Sequence, residues 1–207
     1  MIPNSINLNN MPTAEHPTAS DITYLMDADA NKAYWAATMP LDEYTSNYIH
    51  ENVKKGHTLD FFPVLYGNWD VSYSQANLYS LAAPSVTVLS DQTVGGKRKI
   101  EYQLKTNRHA DELIMKSSSS MKAAQLTING KKVKLYQKEF SKDKPLEFRY
   151  ALGQAEELHV QITVNRDDHI EWMIADRSYD IPETKGKRSA KYSTYGDNSY
   201  VLKRFQD

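Results

Sequence analysis

Cysteine is absent from this 207-residue sequence, and its absence excludes several kinds of chemistry at once. Without thiols the chain forms no disulfide, has no thiolate nucleophile and offers zinc no cysteine ligand. No run of 18 apolar residues exists, which is about the length that an α-helix needs to cross a bilayer. The formal net charge is only -1, so no global field attracts nucleic acid or an anionic membrane surface.

The first 20 residues are polar and contain three prolines, so we expect an irregular, mobile arm. They show neither the basic n-region nor the apolar h-region of a signal peptide. Residues 21–207 are expected to form a single domain. Within it, residues 21–83 form an irregular part with a hairpin and a helix, and residues 84–207 form the strands of a sandwich.

The sequence from residue 84 onward alternates between apolar and polar side chains. This period predicts antiparallel strands with one buried and one wet face. Gly95-Gly96 and Asn129-Gly130 predict reversals, the second setting Leu126 and Ile128 against Val133 and Leu135. The predicted fold is mainly β, an antiparallel β-sandwich with an irregular, aromatic-rich N-terminal part and one short helix. The alternation is clearest in two stretches: Ile100, Tyr102 and Leu104, then Leu158, Val160, Ile162 and Val164.

The N-terminal part begins with two apolar runs, residues 22–26 and 33–38, separated by the residues "DADANK". Asp and Asn favour tight reversals, so a β-hairpin is predicted here. The stretch "LDEYTSNYIHENVKK" (residues 41–55) predicts a short helix, because acidic residues come early and lysines late. The aromatic stretch that follows, residues 58–70, is predicted to be a packed loop.

Two carboxylates in the predicted hairpin, Asp27 and Asp29, raise the question of catalysis or calcium binding. A general acid–base pair needs two carboxylates in different environments. Calcium loops need further oxygen ligands that this stretch lacks. We therefore expect both side chains to be solvated in a structural turn.

A second acidic set combines His109-x-Asp111 with Glu156-Glu157, residue types that bind paired zinc ions in aminopeptidases. A bridging aspartate is missing, because the following region reads "SSSSMKAAQLT". The alternative, two solvated loops, is favoured, so we predict neither metal ligands nor catalytic residues. A small metalloenzyme using these four residues remains the competing hypothesis.

Aromatic residues crowd the N-terminal third, and tyrosine is abundant, with 14 copies against 5 of phenylalanine. They either pack this irregular region onto the sandwich or form a face that binds a peptide or glycan, since exposed Trp and Tyr suit contacts. The sequence leaves both interpretations open. The candidate binding residues are Tyr34, Trp35, Phe61, Phe62 and Trp69.

Three stretches carry a resemblance: "YLMDADANKAYWAAT" (residues 24–38), "LDEYTSNYI" (41–49) and "DFFP" (60–63). They resemble the C-terminal extracytoplasmic region of membrane-embedded zinc aminopeptidases. These enzymes form metallopeptidase family twenty-eight, and the stretches are similar to the endoplasmic reticulum metallopeptidase group. The later stretch "APSVTVLSD" (83–91) resembles the proline-led strand that opens the β-rich domain of that region.

The resemblance implies a non-catalytic accessory domain of a membrane-anchored peptidase, located in the periplasm or otherwise outside the cytoplasm. No cofactor is then expected in this chain, because zinc belongs to the catalytic domain of the parent. The implied partners are the parent's peptidase domain or membrane region, with a peptide or glycan as further candidates. The alternative function is a free-standing carbohydrate- or peptide-binding β-sandwich module.

Overall fold

The computed structural model describes residues 12–38, 40–65 and 67–206, and strands dominate it. Within these ranges two helical pieces occur, a 3-10 turn at Thr45–Asn47 and a single α-helical turn, α1, at Thr58–Phe61. The strands are β1 Thr18–Ala19, β2 Thr23–Asp27, β3 Lys32–Thr38, β4 Lys54–His57, β5 Asp70–Gln75, β6 Ser85–Val94, β7 Lys97–Lys105, β8 Glu112–Ser117, β9 Met121–Lys122, β10 Gln125–Ile128, β11 Lys131–Val133, β12 Glu139–Phe140, β13 Glu147–Ala151, β14 Glu157–Asn165, β15 Glu171–Ser178, β16 Tyr192–Ser193 and β17 Asn198–Gln206.

Two large sheets organise these strands. The larger has eight strands in the order β13-β8-β15-β17-β2-β3-β5-β4, and the smaller has five in the order β11-β10-β14-β7-β6. Neighbours in both sheets are antiparallel, except that β17 pairs with β2 in parallel. The predicted fold class, a mainly antiparallel β-sandwich, is confirmed. Strands from both sides of residue 84 share the eight-stranded sheet.

The main core lies between the two sheets and follows the predicted alternation. The apolar side chains of β7 and β14 are buried on one face, while their polar neighbours point to the wet face. Burying such a face supplies the main driving force for folding. The five-stranded sheet contributes Ile100, Tyr102, Leu104, Leu158, Val160, Ile162 and Val164, and the eight-stranded sheet contributes Leu113, Met115, Trp172 and Ile174.

Both predicted glycine reversals are present. Gly95 turns between β6 and β7, and Asn129-Gly130 turns between β10 and β11, with φ of 47° and 76°. Positive φ at both central positions is what this hairpin turn requires. Leu126 lies opposite Val133 as predicted, but Ile128 lies opposite Lys131 rather than Leu135, because β11 ends at Val133.

The N-terminal hairpin forms as predicted, with β2 and β3 in antiparallel register. The prediction of a helix over residues 41–55 is wrong, because the only helical structure there is the 3-10 turn at Thr45–Asn47. The Asp42 carboxylate accepts the backbone N–H groups of Tyr44 and Thr45, which tightens the chain into a turn. A helical turn occurs instead at α1, inside the predicted loop. The predicted N-terminal arm also contains a short strand, β1, which pairs with β16, whereas residues 1–11 lie outside the described ranges.

The eight-stranded sheet has two covered faces. One face packs against the five-stranded sheet. On the same face, Trp35 of β3 packs against Tyr48 in the chain segment of residues 41–49. On the opposite face, which we call the outer face, Phe62 and Val64 pack against Leu25. Residues that follow α1 therefore cover part of the outer face, and the rest of that face stays open.

A buried ion pair joins the chain after β7 to the middle of the eight-stranded sheet. Arg108 Nε donates to Asp176 Oδ1 at 2.8 Å, and the other two guanidinium nitrogens donate to the Ser199 hydroxyl at 2.8 Å and carbonyl oxygen at 3.0 Å. Thr106 Oγ1 donates to the second Asp176 oxygen at 3.0 Å. Burial raises the pKa of Asp176, while attraction to Arg108 opposes that rise.

Replacing the buried carboxylate tests this network. Asp176→Asn removes the charge that Arg108 faces, so we expect the free energy of unfolding to fall by about 3 kcal/mol. Chemical denaturation followed by circular dichroism measures the change. The matched control is Asp180→Asn, because Asp180 lies 4.0 Å from the same guanidinium but is 78% exposed. Its expected loss is below about 0.5 kcal/mol, and equal losses in the two variants would contradict this account.

Candidate ligand-binding pocket

The open part of the outer face forms a cavity of about 540 Å³. Side chains from β2, β3, β5 and β17 line it, because residues that alternate along paired strands share one face of the sheet. This volume falls within the range of about 300–1,000 Å³ that is typical of small-molecule sites. The apolar part of its lining comprises Leu25, Ala36, Ala37, Leu65, Trp69 and Val71.

The floor of the cavity is deep because its central side chain is small. Ala36 lies opposite Thr23 on β2 and Tyr73 on β5, and it is buried. Beside it, Leu25 and the covering residue Phe62 are fully buried. Phe62 meets the ring of Tyr200 edge-to-face, with the ring centroids 6.3 Å apart. The wall and floor are therefore packed core residues rather than mobile loops.

Trp69 forms one wall of the cavity and is half exposed, at 50%. The hydroxyl of Thr58, the first residue of α1, accepts the backbone N–H of Trp69 at 3.2 Å and donates to the carbonyl of Gly67 at 3.2 Å. Gly67 has a φ of 76°, and a Cβ built there would lie 2.9 Å from the indole nitrogen of Trp69. Glycine at this position therefore allows the indole to lie flat against the backbone.

Charged side chains occupy the opposite end of the cavity. Arg177 of β15 lies beside Glu112 of β8, with Nη1 and the carboxylate oxygen 3.5 Å apart. Its guanidinium carbon is 4.4 Å from the ring centroid of Tyr179 and 5.5 Å from that of Tyr200. Arg149 of β13 also lines the cavity and donates to the carbonyl oxygen of Val64 at 2.6 Å. This end of the cavity is rich in guanidinium donors.

The pKa of the Tyr200 hydroxyl is affected by both guanidinium groups at this end of the cavity. Burial raises the pKa of its hydroxyl, while the positive charges of Arg177 and Arg149 oppose the rise. Both guanidinium groups therefore lie close enough to act on one phenol at the charged end of the cavity. The Tyr200 hydroxyl stays protonated at neutral pH and serves as a polar wall.

The five aromatic residues that the sequence proposed for binding occupy three environments. Trp35 and Phe62 are buried in the core, where Trp35 contacts Tyr24 and Tyr48. Tyr34 and Phe61 are half-buried and pack against Tyr73 outside the cavity lining. Trp69 alone of the five lines the cavity. Packing onto the sandwich thus accounts for four of these rings, while ligand binding at Trp69 stays a prediction.

The Asp27 and Asp29 pair lies in the hairpin turn, as expected, but the expected solvation is wrong for Asp27. Asp27 is buried and accepts the backbone N–H groups of Asp29 at 3.1 Å and Ala30 at 3.0 Å. Arg204 of β17 donates to both oxygens of Asp27 at 2.9 Å, while Asp29 accepts the backbone N–H of Arg204. These two carboxylates fasten the turn to the last strand.

The proposed zinc set is divided among separate partners. His109 pairs with Glu156 at 2.5 Å, while Asp111 accepts the backbone N–H of Tyr179 and Glu157 accepts the amide of Gln103. No group of three or more His, Asp or Glu residues suited to a metal ion occurs within residues 12–38, 40–65 and 67–206. The same ranges contain no helix that is long and apolar enough to span a bilayer.

Sequence reasoning missed the charged end of the cavity. Glu112, Arg149 and Arg177 stand on three adjacent strands, but they are far apart in sequence. One signal was available, since Asp176 and Arg177 interrupt the otherwise apolar run of β15. A charged pair inside such a strand indicates that its charges have partners or a function.

A glycine substitution tests the positioning of Trp69. Gly67→Ala should displace the indole and shift its fluorescence emission, because the new methyl group would overlap the ring. Trp35 and Trp172 are buried, so changes in acrylamide quenching report on Trp69. The matched control is Gly153→Ala, which has a φ of 61° and open space around its Cβ. It carries the same backbone strain and should leave the emission unchanged, and identical spectra for both variants would contradict the contact.

Comparison with known proteins finds similarity to solved structures only. No family model matches the sequence, and no curated protein matches it. Among solved structures, the chain is similar to one titled "Fcho1 Mu homology domain (Danio Rerio) with bound Eps15 peptide". That match has 7% sequence identity and a TM-score of 0.35, and it covers 90% of this chain and 94% of the other. A likeness at this level assigns no function to the chain.

Proposed function

We propose that the protein is a non-catalytic binding domain whose ligand inserts an apolar body into the cavity of the outer face. The observation that carries the proposal is the cavity itself, about 540 Å³ with an apolar floor and one charged end. Large apolar concavities with few polar groups are the usual form of small-molecule sites. A half-exposed tryptophan at the rim adds the kind of aromatic contact that binding sites favour.

The polar groups of the cavity favour binding over catalysis. Its lining includes no histidine, lysine or serine. The Asp21 carboxylate already accepts the backbone N–H groups of Tyr195 and Gly196, and Glu112 pairs with Arg177. A nucleophile with an adjacent base, the arrangement that covalent catalysis requires, does not occur among these lining residues.

Filling the floor of the cavity tests the proposal. Ala36→Leu projects additional carbon atoms into the space that the ligand body would occupy. We use 1-decanol as an uncharged apolar probe and measure its affinity by isothermal titration calorimetry. Saturable binding to the unmodified protein is expected, with about tenfold weaker binding to Ala36→Leu.

The control for this experiment is Ala155→Leu, which adds the same atoms at an exposed position outside the cavity. It should bind 1-decanol as the unmodified protein does, and thermal melting should confirm that both variants are folded. Failure of 1-decanol to bind, or equal affinity in both variants, would refute the cavity as the site.

The sequence resemblance supports a finer proposal about context. The domain is an accessory part of a membrane-anchored zinc aminopeptidase, exported with its parent, and the cavity faces the parent, its substrate or a partner. A free-standing peptide- or glycan-binding module is the alternative. The DNA upstream of codon one distinguishes them, since a zinc-peptidase domain and membrane helices should be encoded there in frame. A complete reading frame that starts at Met1 would favour the free-standing module.

A further inference from the structure

Arg177 has hydrogen-bonding capacity that its contacts leave unused. A guanidinium carries five N–H donors. Nη1 reaches Glu112 at 3.5 Å, the outer limit of a hydrogen bond, and the buried Nε has no hydrogen-bond partner among the described residues. The side chain is 22% exposed, so water reaches only part of it. Because the side chain lines the cavity, an anion bound there would accept the guanidinium donors that face this space.

The acidic groups near Arg177 hold its guanidinium only loosely. Glu112 is the carboxylate that faces it across the strands, at a long distance for an ion pair. Glu147 instead faces Arg149, with Nε and the carboxylate oxygen 3.8 Å apart. Asp21, the remaining acidic residue of the lining, is engaged by the amides of Tyr195 and Gly196. A ligand carboxylate would therefore compete with Glu112 for the guanidinium of Arg177.

The rest of the lining favours an aliphatic body over a peptide. β2, β3 and β17 are interior strands, each hydrogen-bonded to a neighbour on both sides. Their backbone groups are therefore used within the sheet, and the floor offers side chains only. An extended peptide placed there would bury its own amide groups without partners, which is costly. An alkyl chain has no such groups, and it gains from covering Trp69, which lines the cavity and is half exposed.

We infer that the ligand is a free aliphatic monocarboxylate of medium chain length, with its alkyl chain along the Ala36 floor and its carboxylate on the guanidinium of Arg177. This inference rests on the proposed function, since it names the chemical class that the cavity binds. Arg177 acts as the residue that determines specificity for the headgroup. The rings of Tyr179, which follows β15, and of Tyr200 on β17 hold it in place.

Decanoate and 1-decanol, titrated separately below their aggregation concentrations, test the inference because they share a chain and differ in charge. We expect decanoate to bind the unmodified protein about tenfold more tightly than 1-decanol, as a charge-assisted hydrogen bond would give. Arg177→Met should abolish this preference, so that decanoate and 1-decanol bind this variant with equal affinity. Glu112→Gln should strengthen decanoate binding several-fold, because it removes the carboxylate that competes for the guanidinium. Quenching of Trp69 by acrylamide provides a second readout at the opposite wall.

Arg166→Met is the matched control, because Arg166 is exposed and lies outside the cavity. It should retain the preference for decanoate. Glu112→Gln keeps the guanidinium in place, so it tests the inference even where Arg177→Met fails to fold.

The outcomes separate the two proposals. Equal affinity for decanoate and 1-decanol would overturn the carboxylate assignment and leave the binding cavity standing, whereas failure of both to bind would overturn the cavity. A preference for decanoate that neither Arg177→Met nor Glu112→Gln alters would also overturn the assignment. Displacement of decanoate by a lower concentration of an apolar heptapeptide would replace the fatty acid with a peptide as the occupant.

Discussion

The buried ion pair between Arg108 and Asp176 is the constraint on which the arrangement of the two sheets depends. Asp176 lies on the inner face of the eight-stranded sheet, while Arg108 follows β7, a strand of the five-stranded sheet. A guanidinium with four hydrogen-bonded contacts in a dry environment accepts little variation in distance or angle. Apolar packing alone tolerates sliding of one sheet over another, whereas this network specifies one position.

The placement of Asp176 on the inner face also determines which residue of β15 lies on the outer face. Asp176 and Arg177 are adjacent on β15, so their side chains point to opposite faces. The first pairs with Arg108 inside the sandwich, and the second places its charge at the end of the outer cavity. The eight-stranded sheet thus has the buried Arg108–Asp176 ion pair on its inner face and the Arg177 guanidinium, which lines the cavity, on its outer face. The segment after α1 covers part of the outer face and leaves the cavity beside it open.

Local patterns predicted the strands well, and long-range geometry accounts for what they could not predict. The alternation in β14 and the Asn129-Gly130 reversal were sufficient to predict a strand and a hairpin, because neighbouring residues determine which face of a strand is buried and which is exposed. The helix expected over residues 41–55 does not form, because the spacing of Tyr44 and Tyr48 also suits a tight turn in which Tyr48 packs on Trp35 and Tyr44 packs on Tyr48. The cavity could not be predicted, since the sheet order alone brings Leu25, Ala36, Arg177 and Tyr200 to one face.

The last strand, β17, lies between β15 and β2, so its neighbours come from opposite ends of the described chain. On the ribosome, β2 and β3 emerge before β17 and have no partner on their β17 side until residues 198–206 leave the exit tunnel. The eight-stranded sheet therefore closes only after β17 has emerged, and the cavity appears only then. Contacts of such high sequence separation slow folding, which exposes the apolar N-terminal hairpin to chaperones throughout synthesis.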